Sequence, residues 1–182
     1  NPEQAVIVAN HLSSLDILVL GAYIKHDFRW LAKAALFRVP FSGWFLSAAG
    51  HIPVHRDTGD QETRERLNTH IHSVVKDGAS VLFFPEGTRS ETGQLKPFKL
   101  GAFITAVREG LPVFPIVIQG THELMEKNAP DLSVHPDRSC SVTLLEHIPV
   151  EKAGEGDIMT RAARLRDLAH EAMRAEKCVQ GL

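Results

Sequence analysis

Two short stretches hold side chains that could do proton chemistry together. In Asn10-His11-Leu12-Ser13-Ser14-Leu15-Asp16 an imidazole and a carboxylate stand with four residues between them. One reading is a plain helix start: Ser13 followed three residues later by Asp16 resembles a capping box, with His11 an ordinary loop residue. The other reading uses the same spacing for chemistry. Asp16, in the first turn of a helix, reaches back to one imidazole nitrogen, fixes the tautomer and leaves the other nitrogen to take a proton from a hydroxyl. Capping and orienting are compatible roles. Gly-x-Ser-x-Gly is absent, so there is no hydrolase elbow. A His–Asp pair without a protein nucleophile implies that the substrate brings the attacking hydroxyl.

The second stretch, Phe84-Pro85-Glu86-Gly87-Thr88-Arg89-Ser90, directly follows an apolar run. Pro85 and Gly87 end the strand, so Glu86 and Arg89 project from an irregular loop. They could form a solvated turn with an exposed ion pair. Alternatively, Arg89 offers the planar fork that clamps a phosphate through paired donors. The Walker pattern is missing, which excludes a nucleotide P-loop. Lys33, Lys96 and Lys99 are either further phosphate contacts or solvated lysines. Ten histidines include no His-Glu-x-x-His. His70 and His72, two apart on a helix, do not face each other, so a metal-dependent hydrolase has no ligand set and no metal is expected.

The elements that must position these groups alternate. Ala5 to Ala9 reads as a buried strand and Ser13 to about Tyr23 as a helix. Val81 to Phe84, Val113 to Ile118 and Ser141 to Leu145 are further β-branched or aromatic runs. Gln61 to Lys76 carries Leu67, Ile71, Val74 and Val75 on one face and stops before Gly78. Leu100 to Glu109 ends at Gly110. A last helix starts near Asp157, its N-cap, with Ile158, Ala162, Leu165, Leu168, Ala169 and Ala172 toward the core. This alternation predicts an α/β fold, a single domain over residues 1–182 with a mixed, largely parallel sheet flanked by helices.

A chain of 182 residues, 43% hydrophobic and 23% charged, can bury a sizeable core. A formal charge of −2 gives no global field for nucleic acid. Cys140 and Cys178 are too few and too far apart for a disulfide framework and suit packing in a reducing compartment. The longest apolar run, Ile17 to Ile24, is too short to span a bilayer.

Set side by side, the His11–Asp16 and Phe84–Ser90 stretches resemble the first and third blocks of the glycerolipid acyltransferases, which include the 1-acylglycerol-3-phosphate acyltransferases. Gly50-His51-Ile52-Pro53-Val54-His55-Arg56 resembles the block whose arginine helps bind the acceptor phosphate. Val113-Phe114-Pro115-Ile116-Val117 resembles the fourth block, thought to shape the acyl-donor site. The resemblance implies a glycerol-3-phosphate acyltransferase-like fold, His11 as base with Asp16 as its partner, and acceptor binding by Arg56, Glu86, Gly87, Thr88 and Arg89. It implies acyl transfer from acyl-CoA or acyl-carrier protein, with no bound cofactor, to lysophosphatidic acid in phospholipid biosynthesis. Glycerol 3-phosphate, another lysophospholipid or a lyso-ornithine lipid are alternative acceptors, and a non-catalytic lipid-binding module is the alternative of another class. Leu12 stands where many members carry a polar residue.

Residues 28 to 45 hold both tryptophans, four phenylalanines and the basic Arg29, Lys33 and Arg38, with Lys25 just before. That composition fits a surface resting in lipid headgroups, or else a core. Because the chain starts at Asn1 and enters an apolar strand almost at once, an upstream membrane-associating segment is expected outside it. The expected place is the cytoplasmic face of a membrane, peripheral or anchored by such a segment.

Overall fold

Alternation along each strand decides which residues meet which helices. In strand β1 (Val6–Ala9), Val6 and Val8 join one core cluster while Ala5, Ile7 and Ala9 on the other side join a second. Strand β4 (Ser80–Phe83) repeats the division, with Val81 and Phe83 against Leu82. Strand β5 (Val113–Gln119) does so too, with Val113 and Val117 against Phe114, Ile116 and Ile118. A strand buried on both faces is the mark of a covered parallel sheet.

The structure, a computed structural model, describes residues 4–55, 60–90, 92–124, 135 and 137–179. Two further strands, β2 (Phe28–Lys33) and β3 (Ile52–Val54), and an antiparallel β6 (Ser141–Leu144) complete one sheet of order β3-β2-β4-β1-β5-β6. Every neighbouring pair is parallel except β5 with β6. The α/β class and the mixed, largely parallel sheet are as expected. The carboxyl ends of β1 to β5 therefore lie along one edge, where open α/β sheets hold ligands.

Helices α3 (Gln61–Lys76), α4 (Gly101–Glu109) and α6 (Ile158–Val179) cover one face through Ile71, Val74, Phe103, Ala106, Leu165 and Ala169. Helix α1 (Asp16–Tyr23) contributes Leu20 to the other. The predicted stripe on α6 shifts: Ile158 and Leu168 are exposed, and the buried line is Ala162, Leu165, Ala169, Met173 and Lys177. Asp157 caps α6 through its contact with the Thr160 amide, 2.7 Å. Cys178 is exposed rather than packed. Among the described residues no helix is long and apolar enough to cross a membrane.

Between β2 and β3, a 3-10 turn (Ala34–Arg38) and helix α2 (Ser42–Ala48) form a hairpin. The aromatics of residues 28–45 divide between the two expected settings. Phe28, Trp30 and Phe37 are half-buried, whereas Phe41 is 78%, Trp44 68% and Phe45 60% exposed. Phe41 has φ 65° and ψ −59°, and the Ser42 amide donates to the Pro40 carbonyl at 2.8 Å, a tight γ-turn that strains a non-glycine residue. A Cβ at Gly43 would meet the Phe37 carbonyl oxygen at 2.2 Å, so the hairpin closes only around a glycine.

Candidate functional site

Because β1 ends at Ala9 and α1 begins at Asp16, the loop between them brings His11 to the sheet's carboxyl edge. Asp16 is fully buried, and a buried carboxylate must be answered by donors. Its Oδ2 accepts from His11 Nδ1 at 2.7 Å, from the Leu12 amide at 2.7 Å and from the Ser13 amide at 3.0 Å. One carboxylate thus orients the imidazole and answers the Leu12 and Ser13 amides. Leu15 precedes the helix with no side-chain cap, so the expected capping box is met only in the bond from the Ser13 amide. No hydrogen bond to His11 Nε2 is found among the described residues, which leaves that nitrogen for a substrate proton.

The loop after β4 closes over His11. The Phe84 ring stacks on the imidazole with centroids 4.2 Å apart, and the Ser90 amide donates to the His11 carbonyl at 2.7 Å. Glu86 is buried, and its oxygens accept from the His11 amide at 2.8 Å and the Lys96 amide at 3.0 Å. Burial raises its pKa, against the pull of those two amides and of Lys96 and His11. The carboxylate faces backbone, so this geometry makes Glu86 a strut tying the two ends of the loop to residue 11.

The groups read as acceptor contacts gather at the mouth of this loop. Arg89 Nη1 donates to Ser14 Oγ at 3.0 Å, joining the loop to the start of α1. Lys96 Nζ donates to the Arg89 carbonyl at 2.7 Å and to Thr88 Oγ1 at 3.3 Å. Gly87, at φ +77°, lies under Lys99, whose Nζ would stand 2.8 Å from an added Cβ. Thr88, Arg89, Lys96 and Lys99 thus form one basic rim beside His11. Lys33 sits exposed at the carboxyl end of β2, on the same edge of the sheet. Arg56 lies outside the described residues. The block before it gives β3 and a buried His51, whose ring lies 3.4 Å from that of Trp30. Burial and the nearby Arg29 lower the pKa of His51 to about 4, with Asp27 opposing. The fourth block is β5 itself, with Val113, Phe114, Ile116 and Val117 all in the core.

Three contributors receive no role from the sequence: Asn10, which opens the first motif, and Thr121 and Lys177, which lie outside every motif. Asn10 clamps β1 to β5, donating to the Ile118 carbonyl at 2.8 Å and accepting from its amide at 2.7 Å. Thr121 Oγ1 donates to Asp16 Oδ1. Lys177 of α6 is buried and donates to the Gly93 carbonyl; burial lowers its pKa while the charge of Glu86 raises it. Their common signal is a polar residue inside an apolar setting, and it becomes visible only once the core is known. A cavity of about 430 Å³ between α6 and residues 92–95 is lined by His170, Arg174 and Lys177, but neither His11 nor Asp16 borders it. Among the described residues no cluster of His, Cys, Asp and Glu could hold a metal.

The family model described as Acyltransferase matches residues 1–119. A chloroplastic 1-acyl-sn-glycerol-3-phosphate acyltransferase of Brassica napus is 36% identical over 159 residues, which is 87% of this chain and 44% of that protein. A 1-acyl-sn-glycerol-3-phosphate acyltransferase of Saccharomyces cerevisiae is 35% identical over 165 residues, covering 89% of this chain and 53% of its own length. The chain thus spans about half the length of these curated relatives. The crystal structure of the 1-acyl-sn-glycerophosphate (LPA) acyltransferase PlsC from Thermotoga maritima superimposes with a TM-score of 0.80 at 24% identity, over 100% of this chain and 68% of that one. That likeness extends to the fold.

Proposed function

The chain belongs to the acyltransferase family, and from that premise we propose that it moves a fatty acyl group from an acyl thioester to the free hydroxyl of lysophosphatidic acid, giving phosphatidic acid. The observation that carries this reading is the convergence of the His11–Asp16 pair and the basic Thr88–Lys99 rim on the carboxyl ends of β1 and β4.

In this mechanism His11 Nε2 takes the proton of the acceptor hydroxyl while Asp16 holds Nδ1–H. The hydroxyl oxygen attacks the thioester carbonyl, the tetrahedral centre collapses, and the thiol departs with a proton. Arg89, Thr88, Lys96 and Lys99, with Arg56, hold the acceptor phosphate, so that an encounter of two molecules becomes a positioned reaction. Glu86 and Gly87 serve acceptor binding indirectly, by shaping the loop that presents these groups. Acyl-CoA or acyl-carrier protein is the donor. Assaying the wild-type protein with a panel of lyso-acceptors against both donors, read by thiol release, tests the reading. Fastest turnover with lysophosphatidic acid supports it, whereas release only with another acceptor, or none at all, overturns it.

With that activity we propose that the protein works at the cytoplasmic face of a membrane. Phe41, Trp44 and Phe45 are presented to solvent by a strained, tightly closed hairpin, and no acidic residue occurs from Phe28 to His55 while Lys33 and Arg38 stand exposed. Aromatic rings beside exposed basic side chains suit the headgroup region of anionic lipid. In liposome co-sedimentation, changing Trp44 and Phe45 to Ser is expected to release the folded protein into the supernatant. Unchanged sedimentation would remove the hairpin from the membrane contact.

A further inference from the structure

Three of the four donors to Asp16 come from residues 11 to 13, next to it in the chain, and all three meet Oδ2. Rotation about χ2 swings both oxygens together, so a donor on Oδ1 resists the same rotation that would carry Oδ2 off the imidazole. The fourth donor comes from the far side of the sequence: Thr121 Oγ1 meets Oδ1 at 2.5 Å, and both residues are fully buried. Two oxygens pinned from two directions fix the plane of the carboxylate, and that plane decides how Oδ2 meets the imidazole.

Thr121 is itself held in place by its neighbours. It begins the short helix α5 (Thr121–Leu124) just past β5, whose end is clamped to β1 by the paired Asn10–Ile118 bonds. Gly120 turns with φ +78°, and a Cβ there would come within 2.3 Å of the Ser139 carbonyl oxygen. Thr121 is the first helical residue and not the cap, since the Glu123 and Leu124 amides donate to the Gly120 carbonyl. Its hydroxyl donates to a carboxylate on another element. We propose that Thr121 is a positioning residue for the His11–Asp16 pair, acting through Asp16 Oδ1 to aim Oδ2 at His11 Nδ1. The proposal rests on the reading of that pair as the base.

Thr121→Val keeps the shape and removes the donor, while Thr121→Ser keeps the donor. The valine variant is expected to lower kcat about 10- to 100-fold, the range a misplaced base costs, with the acceptor KM within about threefold of wild type. The serine variant is expected to recover most of kcat. In a His11→Ala background the valine change should cost nothing further, because Thr121 acts only through the pair. The His11 Nδ1 proton resonance reports the bond without turnover: it should move upfield in the valine variant and return in the serine variant. Wild-type inactivity toward lysophosphatidic acid would count against the acceptor alone, since this resonance still decides the role of Thr121. A folded valine variant with wild-type kcat and an unmoved resonance would overturn the proposal. So would a serine variant as slow as the valine one, or an equal loss in the His11→Ala background.

Discussion

The proposed base end and the proposed phosphate end of this site are built by opposite means. At the base end Asp16 has no exposure, four donors meet its two oxygens, and the His11 ring is stacked on Phe84 while both its backbone groups are bonded to the covering loop. At the phosphate end Thr88 and Lys99 are exposed and Arg89 and Lys96 half-buried, and among the described residues the Arg89 side chain makes one hydrogen bond, to an exposed serine. Proton transfer needs its donor and acceptor held at hydrogen-bond distance, about 2.6–3.2 Å, and buried, over-determined bonds supply that. Holding a charged headgroup needs only several long cationic side chains within reach, which water does not prevent. The same edge of one sheet thus carries a rigid half and an adaptable half.

His11→Ala puts the largest load on this contrast. Losing a positioned general base is expected to lower kcat by roughly 10²–10⁴-fold with little change in acceptor KM. A variant within a few-fold of wild type would mean that the rigid half is structural and the base lies elsewhere. Arg89→Ala should do the reverse and less: an acceptor KM higher by about tenfold, with kcat nearly kept. Since water reaches every member of the rim, the wild-type KM should also rise with salt, and the variant's should rise less steeply. Equal falls in kcat and kcat/KM for Arg89→Ala would place its guanidinium in the transition state and dissolve the division.

How far the sequence alone reaches follows the same line. The bounds of α3, the Gly110 stop after α4 and the Asp157 cap are local events, written in periodicity and in single capping residues. His11 and Asp16 are five positions apart, so their bond is legible too. What fails is what crosses the fold. Strand β2 mixes Arg29 and Lys33 with aromatics, and β3 is three residues long with Pro53 inside it, tolerated because β3 is the edge strand. Neither shows a strand pattern. The face of α6 is read correctly at Ala162, Leu165 and Ala169 but not at the exposed Ile158 and Leu168. Its buried line ends on Lys177, a residue that any hydropathy pattern sends to solvent. Thr121 is bonded to a residue 105 positions away, and nothing around it in the chain announces that. Glu86 resembles a binding group by its place in the motif, yet its oxygens are turned to amides at positions 11 and 96.

His51 offers the smallest effect and places the boundary between the two halves. It belongs to the block read as acceptor-binding, but its ring is buried against Trp30. The rigid side therefore extends beneath the aromatic hairpin up to at least this residue. With its pKa lowered to about 4 in the fold and near 6.5 in the unfolded chain, protons bind the unfolded state first as pH falls. Folding stability should therefore decrease on acidification from about pH 6.5 toward 4, by up to ~1.4 kcal/mol per pH unit from this group. Urea unfolding at pH 7 and pH 5.5 measures the slope, and His51→Phe, which keeps an aromatic ring without the titration, should flatten it. An equally steep loss in the phenylalanine variant would show that His51 is hydrated in solution and belongs to the adaptable half.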